Sequence, residues 1–355
     1  MAILYISSVE KFSGKSSFCL GIGKRFQQEG LSVGYIKPVS TSARQENGEL
    51  VDEDALFFKR YFRLPQHVSE LVPVAITPNL VEAVLTGKVK EDFGEKLKKA
   101  CSDCGKNKDL ILLEGTGTLR EGHFVGLSAP RVTKLLNAPA LVVIKYTTDF
   151  GVVDDALTAK ARLEDKLLGV VINMVPRPRM QYVEEVICPY LEAQGIKVFG
   201  VLPHERILAS ITVKELVEVL DGEILCCPDR TDELVEYIMV GAMTVDQALS
   251  YFRRRPNKAV ITGGDRPDIQ LAALETSTRC IVLTGNLRPS PIILGRAEEL
   301  GVPLVLVRHD TFTSVELVEN YFGRSRFYQE KKVARFEELF NERFNFRLLR
   351  SALGL

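Results

Sequence analysis

Gly14, Lys15 and Ser16 follow one another directly, and their order implies chemistry more plainly than any other run of this chain. They close the stretch SVEKFSGKSS, between the apolar run AILYISS and the helix-patterned SSFCLGIGKRFQQEG. A turn from strand into helix leaves backbone amides without partners, and such amides attract an anion. A lysine at that turn reaches the outer phosphates of a nucleotide, and a serine hydroxyl there can bind magnesium. Residues Ser13, Gly14, Lys15, Ser16 and Ser17 therefore read as a phosphate-binding loop. Where such a loop opens with glycine, this one carries Ser8 or Val9. A side chain there narrows the backbone angles without blocking amide donation.

Three more groups fall where the same site would need them. LVDEDALFFKRYF sets Asp52, Glu53 and Asp54 just before or at a helix start. LILLEGTGTL ends an apolar run with Glu114, followed by Gly115 and Gly117, and a carboxylate so placed can hold Mg2+ directly or through water. VGYIKPVSTS ends another run with Lys37 and then the hydroxyls of Ser40, Thr41 and Ser42. A lysine at the carboxyl end of a strand faces the ligand crevice of an open α/β sheet. Taken singly, the acidic trio also reads as a solvated helix cap and Lys37 as a surface cation. Their convergence on one sheet edge favours a site.

The elements that must carry these residues follow from the hydrophobic pattern. AILYISS, SVGYIKPV, DLILLEG, ALVVIKY, LLGVVINMV and KVFGVLP read as buried strands, with amphipathic runs such as GVVDDALTAKARLEDK between them. This alternation implies an α/β fold, a doubly wound and mostly parallel sheet covered on both faces. After KELVEVLDGEILCCPDR the alternation restarts with GEILCC, KAVITGG, RCIVLTGN and VPLVLVRHD. The reading is a first domain over 1–220, a smaller α/β domain over 221–323 and a C-terminal helical segment over 324–355. In that segment Val333, Phe336, Phe340 and Phe344 fall at helical steps, which suits a helix packed on its own chain. The second domain repeats a pattern of strand, Thr-Gly turn and proline-led helix in AVITGGDRP and CIVLTGNLRP. Thr262, Gly263, Gly264, Asp265, Arg266, Thr284 and Gly285 thus form a candidate ligand turn. The same glycines also serve as plain strand-to-helix turns, and Arg266 can pair with Asp265 or Asp268.

Composition excludes several alternatives. Across 355 residues, 46 basic side chains balance 46 acidic ones, which favours neither nucleic acid nor an anionic membrane. No apolar run is long enough to span a bilayer, and MAILYISS lacks a basic leader, so a cytoplasmic protein is expected. The seven cysteines form no disulfide framework, and the lone pair Cys101 and Cys104 lacks the partners of a zinc site. The histidines His67, His123, His204 and His309 are scattered, with His123 alone close in sequence to the glycine-rich EGTGTLREG.

The motifs SGKSS, GYIKPVSTS, DEDA and LLEGTGT, continuing through VVINMVP and FGVLP, make the first domain resemble dethiobiotin synthetase and related P-loop amide-forming synthetases. That resemblance implies ATP and Mg2+ as cofactors. It places Lys15 on phosphates, Ser16, Asp54 and Glu114 on the metal, and Lys37 on substrate and transferred phosphate. Asn173 would recognise adenine. The stretch VGAMTVDQALSYFRRRPNKAVITGGDRPDIQLAALETSTRCIVLTGNLRPSP resembles a DRTGG domain. Together the two resemble the front portion of long bacterial phosphotransacetylases, whose acetyl-transfer domain has no counterpart in these residues. Acetyltransferase activity is therefore not expected of this chain alone. The expectation is a nucleotide-binding protein with a regulatory domain sensing an unidentified small molecule, in a homo-oligomer without nucleic-acid or membrane partners. The alternative is an ATP-dependent ligase that activates a carboxylate or carbamate by phosphorylation, with Lys15 and Lys37 as catalytic cations. A scaffold with an inactive loop ranks third.

Overall fold

Apolar runs too continuous for a half-exposed strand become a sheet buried on both faces. A computed structural model describes residues 1–89, 91–322 and 327–355. Its principal sheet contains β1 (Ala2–Ser8), β2 (Val33–Ile36), β3 (Leu110–Glu114), β4 (Ala140–Lys145), β5 (Leu167–Val175) and β6 (Val198–Pro203). Their order is β6-β5-β4-β1-β3-β2, and every neighbouring pair is parallel. The chain leaves β1 toward β2 and β3 on one side and later adds β4 to β6 on the other. The strand order therefore reverses at β1, which opens a crevice beyond its carboxyl end. Helix α1 (Lys15–Gln28) starts at that crevice and packs Phe18, Ile22 and Phe26 into the core.

The polypeptide forms two compact units, residues 1–204 with 333–355, and residues 205–332. The break near residue 221 expected from the sequence falls inside the second unit. Ile211–Thr212 pairs antiparallel with Leu234–Val235, and Leu216 and Leu220 share a core with Ala259 and Cys280. These contacts tie residues 211–220 to the second unit. The expected boundary at 323 and 324 lies outside the described residues.

The second unit has its own sheet, of β7 (Glu223–Ile224), β8 (Tyr237–Val240), β9 (Lys258–Gly263), β10 (Thr278–Thr284) and β11 (Leu304–Leu306). Its order is β7-β11-β10-β9-β8, with only β7 antiparallel. Because β9 and β10 are parallel, the turns after Gly263 and Thr284 open at the same sheet end.

The C-terminal residues from Val333 onward belong to the first unit. Phe336, Phe340 and Phe344 surround Phe18, with the Phe18 and Phe336 ring centroids 5.3 Å apart. Gly21 of α1 faces this cluster, and a Cβ there would meet Phe336 and Phe340 at 3.0 Å, so glycine permits the close approach. The helical phenylalanine spacing thus encodes packing on the same chain. Among the described residues no helix is long and apolar enough to cross a membrane.

Candidate functional site

β1 ends at Ser8, and the chain turns through Val9–Ser13 before α1 begins. Ser8 and Val9 keep ordinary negative φ angles; the left-handed angles fall at Phe12 (φ 55) and Gly14 (φ 95). The missing leading glycine therefore imposes no left-handed strain at positions 8 and 9. Gly14 does require its lack of a side chain, since a Cβ would sit 2.6 Å from Asn173 Nδ2. Asn173, at the end of β5, donates from Nδ2 to the Ser13 carbonyl at 2.8 Å. The structure thus places Asn173 against the loop, holding the turn into α1.

Ser8 is itself used. Lys15 Nζ donates to Ser8 Oγ at 2.9 Å, and Ser8 Oγ can give its one proton to Glu10 O at 2.7 Å or Gly117 O at 3.0 Å. Burial pulls the Lys15 ammonium below the ordinary lysine range, against the opposing charges of Glu114 and Asp54. A lysine held in a dry setting with a hydroxyl as partner is a cation prepared for a stronger acceptor. The Ser13 hydroxyl is fully buried and has no hydrogen-bond partner, and the Ser17 side chain is buried.

Glu114 closes β3, the neighbour of β1, and is 3% exposed. Ser16 Oγ donates to Glu114 Oε1 at 2.5 Å and Tyr35 OH to Glu114 Oε2 at 2.5 Å. Burial first, then the Asp54 charge, pushes Glu114 up to about 7, although Lys37, Ser16 and Tyr35 oppose the rise. The Tyr35 phenol is raised by burial and by Glu114, so it remains a donor. Tyr35 was not singled out from the sequence. Its signal is its position two residues before Lys37, because alternate residues of a strand share a face.

Lys37 follows β2 and lies in a buried cluster. Its Nζ is 2.9 Å from Asp52 Oδ2 and 2.5 Å from Asp54 Oδ2. Burial alone would lower this lysine, but Asp54, Asp52 and Glu114 outweigh it and leave it raised. Asp52 is the N-cap of α2 (Glu53–Tyr61), accepting the Ala55 amide at 2.9 Å, and it also accepts Ser40 Oγ at 2.5 Å. The acidic trio thus divides: Asp52 caps and anchors, Asp54 faces the site, and Glu53 pairs with Arg44 at 3.0 Å.

Five of the expected residues, Lys15, Ser16, Lys37, Asp54 and Glu114, are therefore linked through hydrogen bonds, an ion pair and direct electrostatic coupling. Among the described residues no group of three or more His, Cys, Asp or Glu side chains stands as a metal cluster. A cation here would rest on the Ser16 hydroxyl and the Asp54 and Glu114 carboxylates. This hard-oxygen set suits Mg2+, which takes one or two carboxylates and leaves its other positions to water and phosphate oxygens. The two mutually repelling carboxylates, one of them buried, fit that role.

In the second unit Thr262 Oγ1 donates to Gly241 O at 3.2 Å, and the Thr284 and Thr311 hydroxyls lie 2.9 Å apart. Gly264 packs so closely on the Leu287 carbonyl that no Cβ fits, and Gly285 takes φ 75. Arg266 donates to both Asp268 oxygens at 3.0 Å and to the Met243 carbonyl at 3.0 Å. Asp265 folds back beside Gly263. His123 is exposed in a short helical turn, and Cys101 and Cys104 are buried in one helix.

A strand, a loop ending in Gly-Lys-Ser, a helix and a carboxylate on the adjacent strand, at the point where strand order reverses, define a P-loop NTPase-like domain. An AAA domain family model matches residues 3–212, more than half of the chain, and a DRTGG domain model matches residues 215–321. The chain belongs to this AAA domain family, with a DRTGG domain after it. It is 27% identical over 333 residues to the phosphate acetyltransferase of Synechocystis sp., a match covering 88% of this chain and 46% of that protein. It is 21% identical over 183 residues to the ATP-dependent dethiobiotin synthetase BioD of Caldicellulosiruptor saccharolyticus, covering 49% of this chain and 74% of that protein. The chain spans about half the length of the phosphate acetyltransferases it matches. Among solved structures, the MinC:MinD cell division protein complex of Aquifex aeolicus aligns at 13% identity with a TM-score of 0.35, covering 59% of this chain and 84% of that one.

Proposed function

We propose that the first unit binds ATP with Mg2+ and that the DRTGG domain makes this binding responsive to a second small molecule, as a regulatory module related to phosphotransacetylase. The observation that carries the reading is the link between Lys15, Ser16, Glu114 and Asp54 at the carboxyl end of β1. The loop amides after Ser13 and the Lys15 ammonium receive the phosphates. Ser16, Asp54 and Glu114 hold the metal, which when bound neutralises phosphate charge and orients the outer phosphate. Asn173, bonded to the Ser13 carbonyl, keeps the loop in register, and in this reading it also recognises adenine. In the second unit, the Thr262–Arg266 turn with Thr284 and Gly285 is the proposed place for the small molecule. Its exchange of Asp268 for an anion at Arg266 would be the recognition event. Regulation requires that ATP bind two arrangements of the protein with different affinity.

A second reading, an ATP-dependent ligase, is favoured by Lys37. A buried ammonium beside the metal ligands is more than nucleotide sensing needs, and it is placed to neutralise a phosphoryl group in transfer. Phosphate release only with a particular carboxylate or diamine cosubstrate would select this reading.

The test of the nucleotide site is calorimetric titration of Mg-ATP into the wild-type chain and into Lys15→Ala. Saturable binding that the variant loses is expected. Equal binding by both chains would remove the proposed site.

A further inference from the structure

The two aspartates that hold Lys37 are not equivalent. The Asp52 side chain is fully buried, and it accepts the Ala55 amide, the Ser40 hydroxyl and the Lys37 ammonium. Its carboxylate is committed to the start of α2. The Asp54 side chain is 30% exposed and holds the same ammonium at 2.5 Å. Asp54 is also the carboxylate proposed to bind the metal, and its charge reaches Glu114. The ammonium therefore sits on Asp54 Oδ2, and a divalent cation drawn to the same carboxylate would meet it with strong repulsion.

We infer that Lys37 is the tethered counter-ion of the metal site: it neutralises Asp54 until a divalent cation binds, then leaves Asp54 while remaining anchored to Asp52. This rests on the magnesium-nucleotide reading and adds a rule of assembly to it. Without nucleotide, the cation competes with a built-in ammonium and binds weakly. With a triphosphate present, the displaced ammonium finds a new anion. Metal and nucleotide thus strengthen each other's binding by the same factor, as linkage requires. Lys37 becomes available to phosphate only once the metal is in place, so the two binding events are ordered through one side chain. The partly exposed Asp54 exchanges its cation and the fully buried Asp52 retains it, in line with the difference in their burial.

The test uses the full chain and Mn2+ as probe, with free Mn2+ read by electron paramagnetic resonance. The informative variant is Lys37→Met/Asp52→Asn. It removes one positive and one negative charge together, so the net charge of the cluster is unchanged. Asparagine is as good an N-cap as aspartate, and the fully buried Asp52 loses its charge together with its Lys37 partner. In the absence of nucleotide, this variant is expected to bind Mn2+ at least about tenfold more tightly than wild type. The gain that a non-hydrolysable ATP analogue gives to Mn2+ affinity should shrink by a similar factor. Glu114→Gln should abolish Mn2+ binding in either background. Equal or weaker Mn2+ binding by the folded double variant, with wild type still binding Mn2+ and ATP, overturns the exchange and leaves the nucleotide site standing. Absence of Mn2+ and ATP binding in every chain overturns both. Should the double variant not fold, wild-type crystals soaked in Mn2+ decide: Lys37 Nζ beyond hydrogen-bond reach of Asp54 supports the exchange, and an unmoved ion pair beside bound Mn2+ refutes it.

Discussion

Replacing Glu114 by glutamine should change how stability depends on pH, in a direction opposite to that of most paired carboxylates. In the metal-free fold Glu114 is raised from 4.5 to about 7, by burial first and then by Asp54. The folded chain therefore binds this proton more tightly than the unfolded chain. Below pH 4.5 both states are protonated and the contribution is intact. Between about 4.5 and 7 the folded state holds the extra proton, so stability falls as pH rises; above about 7 the loss is complete. The difference between the two values, at about 1.4 kcal/mol per pH unit, is about 3 kcal/mol. Glutamine carries no such proton, so Glu114→Gln should gain on wild type by up to about that amount between pH 4.5 and 8. The absolute offset also contains the altered bonds to Ser16 and Tyr35, so the pH dependence of the difference is the quantity to read. Asp155, pushed up to about 6 by burial and then by Glu10, titrates in both chains and cancels. The assay is urea unfolding followed by circular dichroism, since the chain has no tryptophan. Saturating Mg-ATP should flatten the wild-type slope, because a bound cation favours the ionised carboxylate. A difference between the two metal-free chains that stays constant across this range would refute the reasoning.

Gly14→Ala should cost about 1–2 kcal/mol of stability for its left-handed backbone alone, with ATP affinity lost to the clash with Asn173, as calorimetry and urea unfolding would show. Asp52→Ala removes an N-cap, the acceptor of the Ser40 hydroxyl and one of the two partners of Lys37, which keeps Asp54, a loss of about 1–3 kcal/mol, while Asp52→Asn, which keeps the cap, should lose less than half as much in the same unfolding assay. Phe340→Ala should destabilise the first unit by about 3–5 kcal/mol, seen as a lower urea midpoint with Mg-ATP affinity retained in the folded protein.

The strands of the first sheet were legible because β1, β3, β4 and β5 are nearly unbroken runs of large apolar residues, the pattern of a sheet covered on both faces. β8 was not legible, because Tyr237–Val240 is only half-buried along its whole length and carries no strong pattern. Lys15, Ser16 and Glu114 were readable from the strand, loop and helix order, which fixes where they must lie. The division of labour between Asp52 and Asp54 was not, since both stand at one helix start and only burial separates them. An aspartate three residues before the Ala55 amide is a capping signal that would have marked Asp52. The bond from Asn173 to Ser13 joins residues 160 apart in the chain, and local pattern carries no such information. The assignment of residues 211–220 to the second unit was not legible for a similar reason: Ile211–Thr212 is tied to it by a two-residue strand pairing too short to leave a periodicity.

Equilibrium binding of labelled ATP to the purified full chain, with Mg2+ and then with the metal chelated, is the most direct trial. Saturation of a single class of site with Mg2+, lost on chelation and restored on returning the metal, is the predicted result. If ATP is not retained at any concentration while Mg2+ is present, the arrangement of Lys15, Ser16, Asp54 and Glu114 is not a nucleotide site.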